Sequence, residues 1–298
     1  WLYLVKGVNM IDKLILGTVQ LGLRYGINNT ATDLMSCAEA NEILALAHTS
    51  GIQMLDTAAD YGDSEIKIGN FISKQNKKSF EIITKFSKKE GVGWKKSLNN
   101  SLKKMNVPNV DIIMFHSFEA YINAKNNNEI DSILKFKGSL FNKLGVSVYT
   151  NDELKMLKTD ENIEVIQSPF NILDNENIRG HILKALKDDG KIVHTRSAFL
   201  QGLFFMEHSQ IPRKLMDLIS PLKEINNIAE QNDFCVGHLA LQYVLSKDYI
   251  DGVLIGVESI DQLQKNIQWA NILLDSNIFG EIDKIFVNDT MLLNPSKW

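Results

Sequence analysis

Eight short apolar runs recur along the chain, each followed by a longer stretch of mixed polarity, and this alternation constrains the fold more than any other feature. The runs occupy residues 14–18, 53–57, 81–86, 111–116, 143–148, 164–170, 191–197 and 252–257. Their near-continuous apolar character marks strands buried on both faces, as in a parallel sheet covered by helices. Between them, apolar residues return at helical spacing over 38–50 (Ala40, Ile43, Leu44, Ala47), 64–75, 93–105, 127–136, 177–188 and 259–269. Ser36 ahead of Glu39 and Ser64 after Gly62 suit helix starts, while Gly51 and Gly190 suit helix stops. Eight such units predict an α/β fold closed into a (β/α)8 TIM barrel. The longer stretch between runs seven and eight, with helical patterns over 213–231 and 236–246, reads as an extra helical segment packed on that barrel.

Composition narrows the function classes. Apolar residues make up 44% of the 298, charged residues 23%, and there are five prolines, which is globular usage and excludes a disordered or fibrous chain. The net charge of −4, with lysine pairs at 77–78, 88–89, 95–96 and 103–104 scattered over the predicted helices and loops, argues against a nucleic-acid partner. Cys37 and Cys235 are too few for a disulfide framework or a thiolate metal site, and the six histidines lack metal-ligand spacing, so no metal is expected. No stretch reaches the roughly 18 apolar residues of a membrane span, and the apolar opening 1–5 is shorter than a signal segment. A soluble cytoplasmic protein, monomeric or a small homo-oligomer, is the expectation. Met10-Ile-Asp-Lys reads as a natural start, so 1–9 is expected to be an N-terminal extension or cloning remnant and 10–298 a single barrel domain.

Sites of such barrels gather at the C-terminal ends of the strands. Asp56 ends the second predicted strand, Tyr61 follows in its loop, Lys85 ends the third and His116 the fourth. Three successive strands thus deliver a carboxylate, a phenol, an ammonium and an imidazole toward one mouth. Carbonyl reduction needs such a set, because hydride addition builds negative charge on oxygen that a proton must meet. A phenol is a weak acid, with a pKa near 10. A neighbouring Lys85 is expected to lower it, Asp56 to hold Lys85 charged, and His116 to hydrogen-bond the substrate oxygen.

In its DTAADYG, ITK and IIMFH segments the chain resembles the aldo-keto reductase family, from about Leu14 to Asn266. The family's catalytic tetrad falls in order on Asp56, Tyr61, Lys85 and His116. The resemblance implies a small-molecule carbonyl substrate and a nicotinamide cofactor, NADPH or NADH, bound extended across the barrel mouth. It also accounts for the lack of a GxGxxG turn. Carried over from the family, Ser147 and Gln167 would hold the carboxamide and Arg196 would stack on the ring. Ser197, Phe199, Leu200 and Gly202 would follow the pyrophosphate, and Gly256, Ser259, Gln262 and Asn266 would surround the adenosine. An asparagine that often follows the serine is Val148 here. No basic residue is apparent for a 2′-phosphate and Glu258 stands where a cation is common, which points toward NADH.

Gln20, Arg24, Tyr25 and Phe118 are the expected substrate-pocket residues, a polar and aromatic mixture suited to hydroxylated compounds. The stretch LGTVQLGLRYGINN is similar to a branch of the family found near surface-carbohydrate biosynthesis, which suggests a keto- or aldehydo-sugar derivative. The alternative is a catalytically weak cofactor-binding regulatory or scaffold protein on the same barrel.

Overall fold

The computed structural model describes residues 9–29, 33–75, 78–89 and 91–298. Eight parallel strands close into a barrel in chain order: β1 (Leu14–Gly17), β2 (Met54–Asp56), β3 (Glu81–Lys85), β4 (Val110–Phe115), β5 (Phe141–Ser147), β6 (Val165–Pro169), β7 (Ile192–Arg196) and β8 (Gly252–Gly256). Closure is seen in the pairing of β1 with both β2 and β8, where Gly17 stands opposite Asp56 on one side and Gly256 on the other. Every apolar run became a strand. Each strand ends one residue before its run does, so His116, expected at the end of a strand, is the first residue beyond β4.

The helices, in chain order, are α1 (Val19–Gly22), α2 (Cys37–Thr49), α3 (Ser64–Ile72), α4 (Trp94–Met105), α5 (Phe118–Asn126), α6 (Ile130–Leu134), α7 (Asn151–Leu157), α8 (His181–Asp188), α9 (Ile219–Gln231), α10 (Val236–Leu245), α11 (Ile260–Asn271) and α12 (Asn277–Ile282). The capping box at α2 forms as its sequence suggests: Ser36 Oγ accepts from the Glu39 N–H at 3.2 Å, and the Ser36 N–H donates to Glu39 Oε2 at 2.8 Å. The helix expected over 127–136 is instead split. Phe118, Tyr121 and Ala124 supply the inward face of α5, and the polar Asn126-Asn127-Asn128 junction separates it from α6. Between β7 and β8, α10 packs on α11 as the crossover helix, which leaves 200–231 as the additional segment. Residues 1–8 of the expected extension lie outside the described residues, and Asn9 caps the first 3-10 turn through Ile11 N–H.

Two apolar layers hold the fold. The larger lies between the sheet and its helices, with Leu16, Leu44, Leu55, Ile113, Val146, Ile166 and Val193 at no more than 1% exposure. The smaller fills the barrel, where Ile15, Ile83, Ile112, Met114 and Val165 meet. Inward positions repeat every second residue along a strand. The same parity that turns Ile83, Met114 and Val165 inward therefore turns Lys85, His116 and Gln167 inward, one layer nearer the mouth.

One inward group breaks this apolar filling. His194 on β7 is 3% exposed, its Nδ1 has no hydrogen-bond partner among the described residues, and burial lowers its pKa to about 4. It is neutral in the fold, whereas an unfolded histidine takes a proton below about pH 6.5. Between those values the unfolded chain binds more protons, so stability falls on acidification. By this group alone the loss is about 3 kcal/mol at pH 4. Urea midpoints measured from pH 7 to pH 4 should fall accordingly, and a midpoint that holds constant over this range contradicts the assignment.

Candidate active site

The mouth carries a cavity of about 940 Å³. Its floor is the top inward layer of the strands: Gly17, Asp56, Lys85, Ser147, Gln167, Arg196 and Gly256, with His116 just past β4. All four tetrad candidates line it. Lys85 Nζ forms a buried ion pair with Asp56 Oδ1 and also reaches the Thr57 carbonyl at 3.3 Å. The other Asp56 oxygen accepts from Gln167 Nε2 at 2.8 Å. Lys85 Nζ lies 5.3 Å from the Tyr61 ring centroid, and the Tyr61 and His116 rings meet edge to face at 5.7 Å. An ion pair on the floor thus supports a phenol and an imidazole facing the open space.

Electrostatics assign these groups different protonation behaviour. Burial, reinforced by Lys85, Lys88 and Arg196, holds the His116 pKa down at about 2, so the ring is neutral at any working pH. Burial also lowers the Lys85 ammonium, with Asp56 opposing. The expectation that Lys85 lowers the Tyr61 pKa is not met. Burial, then the Asp56 charge, pushes the phenol well above its ordinary value. Loss of solvent around the phenolate is the larger cause, and Lys85, matched by the carboxylate bonded to it, leaves little net positive charge to oppose it.

Backbone contact fixes where Tyr61 stands. A Cβ on Gly22, at the end of α1, would lie 2.0 Å from the Tyr61 carbonyl, and one on Gly62 would lie 2.2 Å from the Gly22 carbonyl. The loops after β1 and β2 meet main chain to main chain because neither residue has a side chain. Buried Lys67 reinforces the junction, donating from Nζ to the Leu21 carbonyl at 2.6 Å, the Met35 carbonyl at 2.7 Å and Asp63 Oδ1 at 2.9 Å.

The remaining assignments divide. Ser147, Gln167, Arg196, Ser197, Phe199, Gly202, Gly256, Glu258, Gln262 and Asn266 line the cavity, as do Gln20 and Tyr25. Four expected residues do not. Leu200 is wholly buried behind its turn, and Ser259 caps α11 by accepting from the Gln262 N–H at 3.3 Å. Phe118 packs toward Tyr121 at the start of α5, and Arg24 is exposed beyond the lining. Arg196 also differs from its expected setting, because its guanidinium lies 4.0 Å from the Tyr149 ring centroid and donates to the Val148 carbonyl at 2.9 Å. One face of the cation is already covered.

Several lining residues escaped the sequence reading: Tyr149, Lys88, Asn28, Trp269 and Lys265. Lys265 corrects the expectation that the far end lacks a cation, since it lines the wall with Glu258 and Gln262. Its position three residues after Gln262 on α11 was the available signal.

The cavity fits an extended dinucleotide. Gln20 Oε1 is buried without a partner among the described residues, and Gln167, with its amide nitrogen held by Asp56, keeps Oε1 as an acceptor. A Cβ on Gly256 would meet the Gln20 amide at 2.6 Å, and one on Gly202 would meet Asn28 Oδ1 at 1.9 Å. Ser197, Leu200, Gln201 and Gly202 all adopt positive φ in one turn, the kind of backbone strain that gathers at ligand sites. Among the described residues no three His, Cys, Asp or Glu side chains group as a metal site, and no helix is long and apolar enough to cross a membrane.

Comparison with known proteins agrees with this architecture. The profile of the Aldo/keto reductase family matches residues 13–286. Aldo-keto reductase str7 of Strobilurus tenacellus is 23% identical, the match covering 94% of this chain and 90% of that protein. L-galactose dehydrogenase of Arabidopsis thaliana is 24% identical, covering 79% of this chain and 80% of that protein. Among solved structures, aldo-keto reductase AKR11C1 from Bacillus halodurans, in its holo form, superposes with a TM-score of 0.74 at 23% identity, covering 92% of each chain. The chain is an oxidoreductase and belongs to the aldo/keto reductase family.

Proposed function

We propose that this protein reduces an aldehyde or ketone, in the class of keto- and aldehydo-sugar derivatives, to an alcohol with NADPH or NADH, and that Tyr61 donates the proton. The observation that carries this reading is the floor of the cavity, where the Asp56–Lys85 ion pair lies beneath Tyr61 and His116. When bound, the reduced nicotinamide supplies a hydride. Tyr61 gives its phenolic proton to the carbonyl oxygen as charge grows there. Neutral His116 serves as hydrogen-bond donor to that oxygen, since a ring with a pKa of about 2 is no proton source. Ser147 and the Gln167 oxygen hold the carboxamide, and the 197–202 turn follows the phosphates. Gln20, Tyr25 and Tyr149 give the polar and aromatic surface that hydroxylated substrates require, consistent with the sugar named by the Arabidopsis relative.

The decisive experiment is fluorescence titration with NADPH and NADH, followed by absorbance assays over a panel of aldehydes and keto-sugars. Saturable cofactor binding with turnover supports the reading. Tight binding without turnover of any carbonyl supports the regulatory alternative. Cofactor choice rests on Glu258 and Lys265 at the adenosine end. Glu258 has its N–H bonded to Gln262 Oε1 at 2.8 Å, and burial raises its carboxyl pKa. An ionised carboxylate there opposes a 2′-phosphate, so Glu258→Gln is expected to raise the affinity for NADPH relative to NADH by roughly tenfold, about 1.4 kcal/mol. The same titrations check it, and an unchanged ratio removes Glu258 from the cofactor site.

A further inference from the structure

We propose that the carbonyl compound reduced at Tyr61 carries an anionic group, a carboxylate or a phosphate, that is held at Lys88 on the Tyr61 side of the mouth. The inference rests on the reductase reading and adds the charge of the substrate.

The described residues lining the cavity include four cations, Lys85, Lys88, Arg196 and Lys265, against two carboxylates, Asp56 and Glu258. Asp56 is committed to Lys85, and Glu258 shares the far end with Lys265. Lys88 and Arg196 remain, neither in an ion pair with any described residue. In a chain of net charge −4 this leaves the cavity as a local positive centre, and low-dielectric walls focus such a field.

Topology separates the Lys88 charge from the cofactor. In a closed eight-stranded barrel β3 lies diametrically across from β7. Lys88 follows β3, whereas the 197–202 turn follows β7 and the 256–266 wall follows β8. A pyrophosphate lodged on the β7–β8 side is therefore out of reach of Lys88, which stands over the Tyr61 and His116 side of the mouth.

The loop that carries Lys88 is built in place. Asp60, the residue before Tyr61, accepts from Ser87 Oγ at 2.7 Å through one oxygen and from the Lys88 N–H at 2.7 Å through the other. The Ser87 N–H in turn donates to Ser97 Oγ at 2.7 Å. Asp60 thus ties the lysine to the catalytic loop while both its oxygens are occupied by other donors. Arg196, across the mouth at the end of β7, is held by the Val148 carbonyl and the Tyr149 ring and adds its charge to the positive field. Both Lys88 and Arg196 add to the positive field at His116 that helps to keep its ring neutral.

The test compares matched probes that differ in charge. The first pair is 4-carboxybenzaldehyde with its methyl ester, and the second D-glyceraldehyde 3-phosphate with D-glyceraldehyde. The charged member of at least one pair should show a kcat/KM at least tenfold higher, an advantage that shrinks with added salt and drops about tenfold in Lys88→Gln. Preference confined to the first pair assigns a carboxylate, and preference confined to the second a phosphate. A purely structural effect of Lys88→Gln would lower both members alike and keep the ratio. Ratios near one in both pairs, or a charge preference that Lys88→Gln leaves intact, overturn the inference while leaving the reductase reading standing. If no probe turns over, the reductase reading fails. Binding then decides the anion site: 4-(hydroxymethyl)benzoate should bind the protein, saturated with oxidised cofactor, at least tenfold more tightly than its methyl ester by calorimetry. This advantage should be lost in Lys88→Gln, and equal binding refutes the site.

Discussion

Replacing Tyr61 by phenylalanine is expected to lower kcat/KM for carbonyl reduction by about a thousandfold, within the range that a positioned general acid contributes. The substitution removes one hydroxyl and keeps the ring that meets His116 edge to face at 5.7 Å. Cofactor affinity and thermal stability should therefore change little. Lys85→Met is a less clean comparison, because it strands the Asp56 carboxylate, 2% exposed, without its cation, at a cost of about 3–5 kcal/mol. The pH profile supplies a second signature. In the role proposed for Tyr61, reduction needs the protonated phenol, and burial with the Asp56 charge raises its pKa well above the ordinary value, so the donor form is lost only as pH rises through that high value. His116, neutral down to about pH 2, adds no limb on the acid side. The expected profile of kcat/KM is flat from pH 6 to pH 9. Full activity in Tyr61→Phe, or an acid limb near pH 7, would remove Tyr61 from the role proposed for it.

What could be read from the sequence follows from strand parity. Asp56, Lys85 and Gln167 share their inward direction with apolar residues two positions earlier, Met54, Ile83 and Val165, and Ser147 and Arg196 follow the same alternation on β5 and β7, so recognising the strands already places the polar layer. Loop residues have no such rule. Arg24 and Tyr25 are adjacent, yet Tyr25 lines the cavity, its hydroxyl accepting from Gln201 Nε2 at 2.7 Å, while Arg24 is exposed beyond the lining. Phe118 follows His116 by two residues, but the Ser117 cap starts α5 at once and turns it toward Tyr121. Lys265 and Lys88 resembled solvated charges, because only the closed barrel shows which polar faces border a concave space. The direction of the Tyr61 shift was unreadable for a related reason: the sequence places Asp56 and Lys85 beside the tyrosine but does not show how deeply the closed barrel buries the phenol.

Gly22→Ala should lower kcat about a hundredfold, although Gly22 touches no reacting atom. The added methyl would lie 2.0 Å from the Tyr61 carbonyl, 2.6 Å from the Ser64 nitrogen and 3.0 Å from the Asp63 nitrogen, all main-chain atoms with no rotamer to yield. Relief requires the loop after β2 to move away by an ångström or more. Gly62 limits how it can move, since its φ of 55° is one that a glycine adopts without strain and it is itself packed on the Gly22 carbonyl. A shift of about 1 Å in a catalytic group costs roughly a hundredfold in rate. Overpacking of this kind also destabilises by about 1–3 kcal/mol. The expected result is thus a folded protein with a lower melting temperature and about a hundredfold lower kcat, with the cofactor still bound through the β7–β8 side of the cavity. Gly93→Ala serves as the control, because a Cβ there meets nothing within 4 Å. If Gly22→Ala keeps normal kcat, the contact between the two loops does not position Tyr61. A loss of cofactor affinity equal to the loss of kcat would instead place the damage in the barrel as a whole.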